Sequence, residues 1–173
     1  MEAQLNDQLN FELYSSYLYL SMSADFKTKA FNGFGNWMQV QAQEELVHVM
    51  GFHYYILSRG GKPVMKKIDA PGTSWDSPLS AFSEALKHEM IVTSRINALA
   101  KLAVEESDFA SSNFLQWYVS EQVEEEANAS EIVNQLKMAV DSKQGVFMLD
   151  RELSARTFSM SLIPGGMPAP PAA

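Results

Sequence analysis

Apolar side chains recur at Leu5, Leu9, Leu13, Tyr17, Leu20 and Ala24, in steps of three and four, with no Gly or Pro before Gly33. A run of that period and length predicts one long helix over residues 3 to 30. Three more long helices follow. Residues 34 to 59 place Trp37, Met38, Val47, Met50, Tyr54 and Leu57 on an apolar side and end at the stop Gly60-Gly61. Residues 78 to 106 start at Ser77-Pro78, with Ser as N-cap and Pro in the first turn, and carry Leu79, Phe82, Leu86, Ile96, Leu99 and Leu102. Residues 109 to 139 follow the break Ser107-Asp108, with Asp108 as N-cap. They carry Phe114, Trp117, Tyr118, Val123, Ile132, Leu136 and Met138. After Gly145, residues 146 to 156 read as a short fifth helix. No stretch alternates as a strand would.

The links between these helices set their directions. Asn32-Gly33 is a break of two residues, so the first two helices run antiparallel. Residues 60 to 77 are different. They hold Gly60, Gly61, Pro63, Pro71 and Gly72, with no period of either kind. A link this long inside a compact domain needs a purpose. A crossover supplies one, because it lets helix three run parallel to helix two. The expected fold is all-α: a four-helix bundle with a long crossover between helices two and three and a short fifth helix. Residues 1–156 form that domain, and residues 157–173, rich in Pro and Gly, are expected to be a flexible tail.

Composition narrows the function. The chain has 173 residues, 46% apolar and 20% charged, which is a globular balance. Acids outnumber bases 21 to 13, for a net charge of −8. That opposes nucleic acid as a partner and suits cations, although solubility alone also explains it. With no Cys, disulfides, thiolate metal sites and Cys nucleophiles are excluded. The start, Met1-Glu2-Ala3-Gln4, lacks a signal-peptide pattern, and no apolar run approaches the roughly 20 residues of a membrane span. A cytoplasmic protein that neither enters a membrane nor binds nucleic acid is expected.

The chemistry gathers at mid-helix. In Gln43-Glu44-Glu45-Leu46-Val47-His48, Glu45 and His48 are three residues apart, so both side chains lie on one helix face within reach of a single metal ion. Glu12 sits inside the aromatic first helix, seven residues before Tyr19 on the same face. Glu89 is central in the third helix, and Gln122 and Glu125 in the fourth. The spacing repeats: thirty-three residues separate Glu12 from Glu45, and thirty-three separate Glu89 from Gln122. The first helix pair therefore maps onto the second, with Glu12 over Glu89, Glu45 over Gln122 and His48 over Glu125. Two hairpins related by a pseudo-two-fold axis would bring all these groups to one height in the core. Read singly, each residue has an ordinary alternative: a surface acid, a core histidine, or a solvated charge run at Glu124-Glu125-Glu126. Read together, several buried carboxylates would repel unless protonated or bridged by cations. An oxygen-rich set with one His suits iron or manganese.

At these residues the chain resembles the ferritin family, specifically the non-haem ferritins of bacteria and archaea. The resemblance rests on Leu5 to Ser16, Gln43 to His48, Lys87-His88-Glu89 and Phe114 to Glu126, in order and spacing, over residues 3 to 156. It implies a ferritin-like bundle that assembles into a hollow cage of about 24 subunits. It implies a ferroxidase that oxidises Fe(II) with O₂ or peroxide at a di-iron centre, with ferric mineral stored in the cavity. One iron would be held by Glu12, Glu45 and His48. A second would be held by bridging Glu45 with Glu89 and Glu125, Gln122 lying close by. A third would use Glu44, Glu121, Glu124 and Glu125. Glu45, Gln122 and Tyr19 would take part in catalysis, with Tyr19 and Trp117 as extra electron donors; core packing is the alternative for both. His53 and His88 are not expected as ligands, and no haem is expected.

Two departures matter. A fixed di-iron oxidase of this bundle type, or a haem-carrying bacterioferritin, usually has a second Glu-x-x-His on the fourth helix, where this chain has Gln122-x-x-Glu125. The second iron should then be held less firmly, as a passing substrate. Animal ferritins carry pore-lining acids ten and seven residues before that Gln, where this chain has Ser112 and Leu115; Asp108, Glu105 and Glu106 are the acids available instead. The competing readings are a rubrerythrin-like oxidase or peroxidase and a non-enzymatic helical bundle.

Overall fold

The computed structural model describes residues 1–159; the stretch from Pro164 to Pro171, the core of the expected tail, lies outside them. Among the described residues the elements are all helical: α1 (Glu2–Thr28), α2 (Asn32–Ser58), α3 (Pro78–Glu105), α4 (Phe109–Met138) and α5 (Lys143–Leu153). The helices end where backbone chemistry stops them. At Gly60 (φ 76°) the chain turns left-handed; the Gly61 N–H donates to Ile56 O and the Gly60 N–H to Leu57 O, both at 2.9 Å. Ala30 (φ 63°) and Ser107 (φ 54°) close α1 and α3 with the same bonding pattern but carry a side chain, which costs what Gly avoids. Ser77 and Ser80 form a reciprocal capping box at α3, and Asp108 accepts from Ser111 N–H at 3.1 Å at α4.

Two expectations shift. Gly33 is not part of the break: α2 already starts at Asn32, and the turn is Lys29–Phe31. Gly33 is small because α5 lies on it. A Cβ there would sit 1.5 Å from Asp150 O. From the same place the Asp150 carboxylate accepts from Phe34 N–H at 2.9 Å, capping a helix start that has no cap of its own. The fifth helix likewise begins earlier than expected, at Lys143, because Ser142 caps it by accepting from Gly145 N–H at 3.0 Å. Gly145 is inside that helix, and the helix ends before Arg156.

α1 packs along α2 and α3 along α4, and α5 rests on α2. The long link runs up α1 as an extended strap. Asn6 bonds both Lys62 O (3.1 Å) and Val64 N–H (2.6 Å), and Asn10 bonds Val64 O (2.8 Å) and Lys66 N–H (2.7 Å). Farther along, Trp75 N–H donates to Asp25 at 3.1 Å. The strap thus starts beside the N-terminal end of α1 and finishes beside its C-terminal end, so α3 runs parallel to α2, as a crossover requires.

The core is in two apolar parts. One holds Tyr19, Met22, Phe26, Phe34, Trp37, Phe82 and Leu136, and the other Leu9, Phe52, Ile56, Ile96, Leu115 and Tyr118. Between them, in every one of the four helices, lie buried polar residues: Glu12 and Ser15, Glu45 and His48, His88 and Glu89, Gln122 and Glu125. The buried stripe of α1 therefore runs Leu5, Leu9, Glu12, Ser16, Tyr19, Ser23, Phe26. The apolar recurrence that revealed the helix points partly elsewhere: Tyr17 and Leu20 are 48% exposed and Ala24 is exposed. Leu57, Val123 and Met138 are exposed as well. With the inward stripe partly occupied by polar groups, apolar period reports helicity correctly and the core face of α1 only in part.

Candidate metal centre

Each helix delivers its groups at mid-height because the two hairpins have the same register. Glu12, Glu45, His48, Glu89, Gln122 and Glu125 are all at most 4% exposed. One ligand atom each from Glu12, Glu45 and His48 lies within 4.8 Å of the others, and so does one each from His48, Glu121 and Glu125. His48 belongs to both groups. Within the first, His48 Nδ1 stands 3.2 Å from Glu45 Oε2. Glu89 falls in neither group. It accepts from the buried Tyr19 hydroxyl and, at 3.3 Å, from Gln122 Nε2, which also reaches Glu89 O and Thr93 Oγ1. Glu44 is half-buried and turned to Arg156, while Glu124 is exposed.

Burial and mutual repulsion raise every acid of the group. Burial, then the Glu45 charge, pushes Glu12 up to about 8. Burial and Glu45 do the same to Glu89, and burial and Glu89 do it to Glu125. Glu45 is held well above the carboxylate range by burial and by Glu125. Glu44 and Glu121 are raised by partial burial. Without a cation among these oxygens the protonated forms are favoured, because four carboxylates cannot all ionise in a dry core. Glu12 Oε2 is fully buried and receives no N–H or hydroxyl donor, which leaves it free to bind a cation or a proton. Carboxylate oxygens and one imidazole fit iron.

Residues not anticipated from the sequence hold the acids in place. Gln8 donates to Glu12 Oε1 at 2.8 Å, and Arg95 fixes that amide by donating to Gln8 Oε1 at 2.8 Å. Gln41 donates to Glu125 at 2.7 Å and lies 3.5 Å from Glu45. The signal was available: Gln8 and Gln41 each precede an inward Glu by four residues, one helical turn. His88 turns to Ser15 (2.7 Å) and stacks on Phe11, and burial lowers its pKa to about 4, so it is a neutral core ring. His53 meets Tyr54 edge-on. Trp117 is half-buried, edge-on to His48 at 5.5 Å. Of the acids named for a pore, Asp108 pairs with Arg59 (2.9 Å), Glu106 with the Met1 ammonium (3.0 Å) and Glu105 with Lys101 (3.6 Å).

Four helices whose apolar core is split by a buried layer of carboxylates and histidines define a helical bundle with a candidate metal site at its centre. The ferritin-like domain pattern matches residues 2–139. The chain is 42% identical over 156 residues to a bacterial non-heme ferritin of Bacteroides fragilis, covering 90% of this chain and 97% of that protein. It is 40% identical over 154 residues to one of Escherichia coli, covering 89% and 93%. Among solved structures, an open pore ferritin from Archaeoglobus fulgidus superposes with a TM-score of 0.90 at 48% identity, over 91% of this chain and 97% of that one. The chain belongs to the ferritin family. Family, fold and buried Glu/His group together support iron storage. No helix among the described residues is long and apolar enough to cross a membrane.

Proposed function

We propose that the protein is a ferroxidase that stores the iron it oxidises, assembled as a cage of about 24 copies of this chain in the cytoplasm. The observation that carries the reading is the buried group Glu12, Glu45 and His48, with Glu12 Oε2 left without a partner. Fe(II) is the substrate. Glu12, Glu45 and His48 take one ion. Glu45, bridging, takes a second with Glu89 and Glu125. Gln122 offers only a neutral amide beside it, so the second ion is bound less firmly and passes on. Glu44, Glu121, Glu124 and Glu125 form a third position. Its geometry favours Glu121 and Glu125, which share His48's surroundings, over the exposed Glu124.

The residues perform three tasks. The carboxyls exchange their protons for metal, so binding releases protons from Glu12, Glu89 and Glu125. Their anionic oxygens then stabilise Fe(III) over Fe(II). Two Fe(II) give two electrons to one O₂, which with two protons leaves as hydrogen peroxide. Tyr19 donates to Glu89 and so orients that carboxylate.

The test is addition of Fe(II) to metal-free protein, first without oxygen and then in air. Amber ferric species should form on aeration, and the protein should elute near half a megadalton, about 24 copies. No ferric colour refutes the ferroxidase, and a monomer or dimer refutes the cage. Glu45→Ala should slow the fast phase most, since Glu45 serves both ions. Anaerobic calorimetry should find two unequal tight sites.

A further inference from the structure

One cation reaches the acid cluster from a segment that the proposed chemistry does not use. Arg156 lies three residues beyond α5. Its Nη2 donates to Glu44 and, at 2.9 Å, to Gln41 Oε1. Its Nη1 donates to Trp37 O at 3.3 Å, and its guanidinium carbon stands 4.3 Å from the centre of the Trp37 ring. The backbone beneath it is also tied: Asn36 Nδ2 donates to the carbonyls of Leu153 (3.3 Å), Ser154 (3.4 Å) and Arg156 (2.9 Å). This segment is thus built into the flank of α2.

What the guanidinium touches gives it a role. Glu44 is its ion-pair partner. Gln41, whose carbonyl oxygen it engages, turns its amide N–H to Glu125 at 2.7 Å. An amide with its oxygen claimed by Arg156 has only its N–H₂ left for the carboxylate. Arg156 therefore contacts one acid of the third position directly and sets a second through a single amide. The Glu121 charge raises Glu44, and the Glu44 charge raises Glu125, while Glu121 and Glu125 each bring a ligand atom within 4.8 Å of the other. Any metal that takes Glu44 as a ligand must first draw it from Arg156.

We propose that Arg156 is the internal counter-cation of the third iron position: it holds Glu44 while no metal is there and competes with metal for it. Arg156 is a positioning residue, acting through Glu44 and Gln41. The inference rests on the third position proposed above. It also fixes a sign. A metal entering that position must separate Glu44 from a fixed positive charge, so removing the charge strengthens binding there. The segment after α5 consequently senses metal, since Glu44 leaves its Arg156 partner when the position fills.

The experiment is calorimetric titration of assembled, metal-free protein with Fe(II) under strict exclusion of oxygen. The third equivalent should bind about fivefold tighter in Arg156→Ala, the scale of a partly exposed ion pair. Arg156→Gln, which keeps a hydrogen-bonding side chain and loses only the charge, should show the same gain and serves if the alanine variant fails to assemble. Arg156→Lys should stay near wild type. In a Glu44→Gln background, replacing Arg156 should give no such gain, leaving only what Arg156 does through Gln41, whereas a merely structural role would give the same change there. An unchanged or weaker third equivalent in both neutral variants overturns the proposal, as does the same gain in Glu44→Gln. If the first two equivalents fail to bind the wild type, the ferroxidase reading falls. If only the third responds wrongly, this inference falls alone. Absence of a third equivalent in every variant removes the third position and the role of Arg156 together.

Discussion

Metal-free protein should lose stability as pH rises through neutrality, opposite to the trend expected of ordinary salt-bridged carboxylates. Glu12, Glu89 and Glu125 have folded-state values of about 8, against 4.5 for an unperturbed Glu. Between those values the folded chain keeps protons that the unfolded chain has released. Stability from this source is complete below 4.5 and is lost as pH climbs towards 8. His88 acts in the other direction, because its folded value of about 4 is below its usual 6.5 and its contribution is lost as pH falls below 6.5. The carboxyls are therefore seen without His88 only above pH 6.5. Each proton retained on folding tilts stability by about 1.4 kcal/mol per pH unit. Glu12, Glu89 and Glu125, with Glu45 raised beside them, make the slope between pH 6.5 and 7.5 negative, on the order of 4 kcal/mol per unit and a sizeable share of a domain's stability. Guanidinium unfolding of chelator-treated protein, followed by tryptophan fluorescence, measures it. Glu12→Gln should make the slope shallower by about 1 kcal/mol per unit, since one of the retained protons is then permanent. Saturating Zn(II) should abolish or reverse it, because the cation replaces the protons. A midpoint that is level or rising from pH 6.5 to 7.5 in metal-free protein would refute the view that protons hold the place of metal.

Tyr19→Phe removes the hydroxyl that donates to Glu89 and favours its ionised form. Fe(II) binding at the second position should weaken at pH 7, seen by anaerobic calorimetry, while the first equivalent keeps its affinity. Gln8→Leu takes the donor from Glu12 Oε1 and leaves Arg95 Nε unpaired; first-site affinity should fall and stability should drop by about 1–3 kcal/mol, read by denaturant titration. Gly33→Ala drives a methyl into Asp150 O. Overpacking of this kind costs about 1–3 kcal/mol, and amide exchange should rise selectively in α5 and in the first turn of α2, whose cap is Asp150.

The sequence made the bundle legible because helix length, caps and the long link are local signals. Ser77, Asp108 and the Gly60-Gly61 stop act where their chemistry says they should. The site was legible for a different reason: register. Equal spacing in two hairpins is a property of the chain alone, and it brings Glu12, Glu45, His48, Glu89, Gln122 and Glu125 to one layer without reference to any neighbour. What stayed hidden depends on contacts between distant residues. Nothing near Gly33 says that α5 will lie on it, so a glycine needed for close approach reads as a turn. Nothing near Arg156 says that it meets Glu44, 112 positions earlier. The partly misplaced core face of α1 has the same origin as the site itself. A helix whose inward stripe carries Glu12, Ser16 and Ser23 cannot advertise that stripe by hydrophobicity, so Tyr17 and Leu20 stand out instead. Burial of so much polarity is costly unless something pairs with it, and the chain leaves Glu12 Oε2 unpaired. The place where apolar patterning fails is thus the place where the candidate metal site lies.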